Sequence, residues 1–125
     1  MRDTASVASE ALRSLLHQRW RGLSVPELDA LLVELSDVAF RLSEATERAE
    51  RALLATEKTG GLRLDWEGQQ RHTSPHEALV SARADLRHGV AAARETGRWL
   101  HDARQATATV GLAFDQDGDE IEEEY

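Results

Sequence analysis

Between Ser24 and Glu57 the chain alternates apolar and polar positions with a period close to that of an α-helix. Leu28, Leu35, Leu42 and Ala49 repeat every seven residues, and Leu31, Val38, Ala45 and Ala52 form a second seven-residue series three positions on. Leu32, Ala39 and Leu53 widen the stripe. Ser24-Val25-Pro26-Glu27 supplies a start signal: a serine at the N-cap, a proline in the first turn and a glutamate three residues after the serine. Gly60 and Gly61 supply a stop, because glycine takes the left-handed conformation that closes a helix. The pattern predicts a helix over 26–57 with its apolar stripe facing a partner. Glu44/Arg48 and Glu47/Arg51 are expected as supporting pairs four residues apart on the outer face.

The same start signal recurs at Ser74-Pro75-His76-Glu77. Leu79, Leu86, Ala93 and Leu100 then repeat every seven residues, flanked by Ala82, Val90, Gly97 and Ala103, which predicts a second long helix over 75–107. Its stripe is rich in small residues, and each interior glycine, Gly89 and Gly97, costs about 1 kcal/mol against alanine. Small residues along such a seam fit the close approach of another helix. A shorter helix is expected over 3–21, with Ala8, Leu12, Leu15 and Leu16 on one side and Trp20 near its end, folded against the hairpin of the two long helices. In the connector, Leu62, Leu64 and Trp66 alternate with polar residues, so 61–68 reads as an extended segment that packs across the end of the bundle or pairs with its copy in a dimer.

The fold class expected is therefore all-α: a long antiparallel helical hairpin with a shorter N-terminal helix and a disordered acidic C-terminal tail, divided as a helical domain over 1–111 and a tail over 112–125. A helix of about 32 residues is about 48 Å long, and two of them with one short helix leave apolar surface uncovered. A homodimer in a four-helix arrangement is expected to cover it, the alternative being a monomer in which the first helix and the connector fold over the stripe.

Charge refines this picture. The formal charge is -8, but residues 1–111 carry only -1 and residues 112–125 carry -7. The acidity belongs to the tail, expected to be a solvated appendage. Fourteen arginines against the single Lys58 fit a GC-rich, bacterial genome. No cysteine is present, which removes disulfides, thiolate metal sites and thiol nucleophiles. No apolar run reaches the roughly 18 residues of a membrane helix, and the first residues lack the apolar stretch of a secretory signal. A cytoplasmic protein is expected, secreted only by a route that needs no signal peptide.

Candidate chemistry is sparse. Asp115, Asp117 and Asp119 resemble the first half of an EF-hand calcium loop, but Glu120 stands where the loop needs glycine and no exiting helix follows. His72 and His76 are four apart with a helix start between them, and Asp85-Leu86-Arg87-His88 occurs once, where a carboxylate-bridged di-iron site needs Glu-x-x-His on two helices. Glu44, Glu47 and Glu50 have the Glu-x-x-Glu spacing of the helical MazG-like pyrophosphohydrolases, without the second acidic pair those enzymes use to hold magnesium. No phosphate-binding glycine loop or nucleophile elbow appears. No catalytic, cofactor-binding or metal residue is assigned, and a small metal-dependent helical enzyme is the weakest alternative.

Arg87, Arg94 and Arg98 form a basic stripe on the last helix beside Trp99. A near-neutral body with Glu95 and Asp102 interrupting that stripe argues against direct nucleic-acid binding. Trp66-Glu67-Gly68, placed between two long helices, resembles the turn of the WXG100 family of small helical-hairpin proteins exported through type VII secretion. That resemblance implies a signal-free secreted dimer in which Trp66 and Gly68 form a turn that docks a partner. The chain departs from the family in its N-terminal helix, its long connector, and a Tyr125 with no following acidic residue of an export signal. The residues themselves point to a non-enzymatic protein–protein interaction module, homodimeric, with no membrane partner. The candidate contacts are Leu28, Leu35, Leu42, Trp66, Leu79, Leu86, Arg87, Arg94, Arg98 and Trp99.

Overall fold

A computed structural model describes residues 2–110. The expected acidic tail, with the calcium-loop-like Asp115, Asp117 and Asp119, lies outside the described residues, as does the boundary between body and tail. Four helices follow in order: α1 (Arg2–His17), α2 (Val25–Thr59), α3 (Trp66–Arg71) and α4 (Pro75–Ala108). Among the described residues there is no strand, and no helix is long and apolar enough to cross a membrane. The two long helices run antiparallel and form a hairpin, the expected all-α architecture.

The starts of both long helices follow from the sequence. At α2 the capping box is complete: Glu27 N–H donates to Ser24 Oγ at 3.2 Å, and Ser24 N–H donates to Glu27 Oε1 at 2.8 Å. At α4 only half of it forms. Glu77 N–H donates to Ser74 Oγ at 3.1 Å, but the Glu77 carboxylate reaches one residue further back, accepting from Thr73 Oγ1 at 2.5 Å and from Thr73 N–H at 3.3 Å. These bonds hold both glutamates below their ordinary pKa, Glu27 through the backbone and side chain of Ser24 and Glu77 through Thr73 with help from His72. Gly60 ends α2 with φ of 75°, donating its N–H to Glu57 O at 3.2 Å, and Gly61 follows at 76°.

Three expectations are corrected. First, α1 stops at His17 rather than near Arg21. Gln18 N–H donates to Leu15 O in a tight closing turn, a full turn before Gly22. Second, α1 does not pack on the hairpin: α2 against α4 is the one substantial helix pairing among the described residues, and Leu16 is 75% exposed. Third, the connector is not extended through Trp66. Asp65 caps a short helix instead, accepting from Gly68 N–H at 2.7 Å, and Glu67 pairs with Arg71 at 3.4 Å one turn on. An unpaired strand leaves its backbone groups unsatisfied, whereas this turn of helix satisfies them locally.

The seam between α2 and α4 is built from small and polar residues. On α2 the positions turned inward are Asp29, Leu32, Ser36, Ala39, Ser43, Thr46, Glu50, Leu53 and Glu57, in alternating steps of three and four. On α4 they are Leu79, Arg83, Leu86, Val90, Ala93, Gly97, Leu100, Arg104 and Thr107. The Leu79/Leu86/Ala93/Leu100 series therefore faces α2 as the sequence pattern requires. On α2 the seam falls one position after the expected stripe, so that only its flank, Leu32, Ala39 and Leu53, points inward. The core is thin, with Ala39, Val90 and Ala93 as its buried apolar members and Ser36 and Ser43 buried beside them.

Candidate functional site

The inward face of α2 carries a polar residue at every seventh position, Asp29, Ser36, Ser43, Glu50 and Glu57, and four of the five have a partner on α4. Asp29 Oδ1 lies 3.3 Å from Arg104 Nε and accepts from Thr107 Oγ1 at 3.1 Å. Ser36 Oγ donates to Gly97 O at 3.1 Å, a buried bond that joins the middles of the two helices. Glu50 Oε2 accepts from Arg87 Nε at 2.6 Å. Glu57 meets His76 and, at 3.9 Å, Arg83. Ser43, only 2% exposed, satisfies its hydroxyl within its own helix by donating to Phe40 O at 2.6 Å. Each partly solvated ion pair is worth about 0.2–1 kcal/mol, so the rungs orient the helices more than they stabilise them. The Nε atoms of Arg83 and Arg104 are buried without a hydrogen-bond acceptor: Arg104 Nε lies close to Asp29 but is poorly aligned, and Arg83 meets Glu57 only through Nη1 at 3.9 Å.

Helix geometry then sorts the remaining side chains into two faces. In an antiparallel pair, reversing the chain direction and turning the helix toward its partner cancel, so residues one position before the seam fall on the same side of both helices. The Arg94–Glu47 pair, each partner one position after the seam, bears this out. Gly89, one before Val90, faces the Thr46 methyl of α2, 3.6 Å from where a Cβ would stand. One position after the seam, Arg87 and Arg94 reach Glu50 and Glu47, the latter at 3.6 Å.

The face one position after the seam is charged. Arg87 and Arg94, two of the three arginines of the basic stripe, are engaged with acids of α2, while Arg98 stands exposed beside them. Glu47 also pairs with Arg51 at 3.4 Å, as the four-residue spacing predicts, whereas Glu44 and Arg48 do not come within ion-pair distance. With Glu47 and Glu50 both facing arginines, the Glu-x-x-Glu spacing holds no free acidic pair. Among the described residues no group of three histidine, aspartate or glutamate side chains is placed to hold a metal. This side also carries the Phe40 ring, laid over Gly97 so closely that a Cβ there would stand 2.8–2.9 Å from it. A shallow groove of about 280 Å³ lies next to it, lined by Val33, Ser36, His101 and Arg104.

The opposite face is apolar. Leu28, Leu31, Leu35, Val38, Leu42 and Ala45 run along α2 there in steps of three and four, half-buried from Leu28 to Leu35 and exposed from Val38 onward. Leu28 and Leu35 are half-buried and Leu42 is 57% exposed. From α4 the same side receives Ala78, Ala82, Gly89, Ala92 and Trp99, the last 67% exposed, with Asp85 and Thr96 as its polar members. Because Gly97 sits between Ser36 and Phe40, Trp99, two residues on, is level with Leu35 and Val38.

Of the sequence-derived candidates, Leu79 and Leu86 lie in the seam, Leu28, Leu35, Leu42 and Trp99 share the apolar face, and Arg87, Arg94 and Arg98 lie on the charged one. Trp66 is apart from all of these, 76% exposed at the start of α3. Gly68 is fitted to the cap beneath it: an added Cβ would stand 3.2 Å from both Asp65 Oδ1 and Leu64 Cδ2. Pattern reading missed the polar seam, although a strict seven-residue repeat of Asp, Ser, Ser, Glu and Glu marked it. Comparison of the chain with family models, with curated proteins and with solved structures gives no match in any of the three. The likeness to WXG100 proteins thus rests on Trp66, Gly68 and the hairpin around them.

Proposed function

We propose that this protein is a non-enzymatic interaction module that works as a homodimer, its hairpin presenting helix faces to protein partners. One observation carries the reading: the hairpin closes on a thin polar seam while the longest apolar repeat in the chain lies outside it, along α2 beside Trp99. Exposed apolar surface of that extent marks an association site. The charged side is satisfied internally through Arg87, Arg94, Glu47 and Glu50, which leaves little net positive field to attract a polyanion. Sedimentation velocity over a hundredfold range of concentration tests the proposal. A species near twice 13.9 kDa is expected, and a monomer at every concentration refutes it.

A further inference from the structure

The occupant of the apolar face and the way it docks can be taken further, on the premise that the protein is a dimer. The stripe from Leu28 to Ala52 is about 36 Å long, whereas α1, with 16 residues, reaches only about 24 Å. A second hairpin, with an α2 of 35 residues, is long enough to cover it. With two helices roughly 10 Å apart, the face offers roughly 650 Å² per copy, or about 1,300 Å² in all, above the ~1,000 Å² that a specific interface needs.

Charge fixes the arrangement. The row that borders this stripe on the outer side of α2 reads Glu27, Glu34, Arg41 and Arg48, again in steps of seven: two acids toward the N-terminus, two bases toward the C-terminus. In antiparallel helix pairs the bordering rows of the two helices lie against each other and set orientation through their charges. We infer that two copies join through α2 against α2, antiparallel about a two-fold axis near Val38, with Glu34 opposite Arg41 and Glu27 opposite Arg48 of the other copy. A two-fold axis makes each of these pairs occur twice. Leu35, Val38 and Leu42 then interdigitate at the centre. Trp99, level with them, fills the kind of central position where large aromatics contribute most to association.

The corresponding row of α4, Ser81, His88, Glu95 and Asp102, has no arginine and matches only in part, since Glu95 would meet Arg41. Stacking α2 on α4 of the second copy would bring Glu34 toward Asp102, acid against acid. In the α2–α2 pairing each charge of the α2 row lies opposite one of the other sign, with Arg41 facing Glu34 of the other copy while its Nε donates to Asp37 Oδ2 of its own helix at 2.8 Å, and Glu27 keeping one carboxylate oxygen in the Ser24 cap.

A charge-swap series on the full chain tests this, with helicity by circular dichroism showing that each variant is folded. Glu34→Arg sets two arginines face to face across the interface, and Arg41→Glu sets two glutamates face to face, so each single variant should weaken the dimer about tenfold. The double variant Glu34→Arg/Arg41→Glu should return to within about threefold of the original protein. An equimolar mixture of the two single variants should form a heterodimer in preference to either homodimer, which no purely local effect on α2 produces. If the unmodified protein dimerises and the four measurements agree within error, the α2–α2 arrangement is wrong and the dimer reading stands. A protein that is monomeric throughout, with α1 or α3 covering the face, overturns both.

Discussion

Leu42 and Ser43 are adjacent in sequence and opposite in environment. Ser43 is sealed in the hairpin at 2% exposure, although it is polar, and Leu42 is 57% exposed, although it is apolar. The contrast extends along all of α2, whose inward repeat is Asp29, Ser36, Ser43, Glu50 and Glu57 and whose outward repeat is Leu28, Leu35, Leu42 and Ala49. A helix needs a polar inward face only if something other than apolar burial decides how it pairs, and it needs an apolar outward face only if something else covers it. The hairpin uses the polar repeat of α2, and the dimer proposed above uses the apolar one.

The sharpest way to break the comparison is to place the same charge on each side of it. Ser43→Lys buries an unpaired ammonium between Ala39 and Val90 and should destabilise the hairpin by about 3–5 kcal/mol, read as a lowered midpoint of urea unfolding. Leu42→Lys should leave the helicity of the chain intact and weaken dimerisation by roughly 100-fold, read by sedimentation. If Leu42→Lys proves the more damaging to helicity, the two faces have been assigned the wrong way round.

A rung of the polar ladder comes next in size. Glu57→Ala removes the carboxylate that faces both Arg83 and His76 and should destabilise by about 1–3 kcal/mol, because the half-buried Arg83 guanidinium loses its counter-charge. Thermal unfolding at neutral pH measures it.

Glycines sharpen the comparison further. Gly89→Ala meets only the Thr46 methyl at ordinary contact distance and should stabilise by up to about 1 kcal/mol through helix propensity. Gly97→Ala gains the same propensity but must displace the Phe40 ring, and overpacking of about 1–3 kcal/mol should leave it neutral or destabilised by about 1–2 kcal/mol. Equal effects of the two substitutions would mean that the helices do not approach closely at Gly97.

The smallest effect concerns the helix starts. Glu27 and Glu77 are each more acidic in the folded chain than their ordinary value of 4.5. Their contribution to folding is therefore whole above that pH and is lost as pH falls through the lowered folded values. An acid titration followed by circular dichroism should show a step below pH 4.5 that shrinks in a Glu27→Gln/Glu77→Gln variant.

Much of this architecture was legible in the residues. The Ser24 and Ser74 caps, the glycine pair at 60 and 61 and the seven-residue leucine series locate both long helices, because capping and periodicity act locally. Which face of α2 turns inward was not legible from hydrophobicity. Apolar stripes report what must be covered, and the cover in this case is not α4. The information lay in the polar repeat, whose meaning depends on Arg83, Arg87 and Arg104 arriving opposite it, a relation between segments far apart in the chain. At the connector, three alternating apolar residues suggested a strand, and Asp65 overruled them because a cap satisfies a free N–H at once while a strand waits for a neighbour.

The ladder of polar rungs also works as a ruler. If α4 slid by two turns so that Gly97 came to Asp29, Glu50 would face Val80 and both acids would lose their arginines, so that slip strands charges. Small alanine-rich helices packed by apolar contacts alone slip easily, because one methyl group substitutes for another. This chain has exchanged part of its cohesion for alignment, and the aligned hairpin holds Trp99 level with Val38 on the open face.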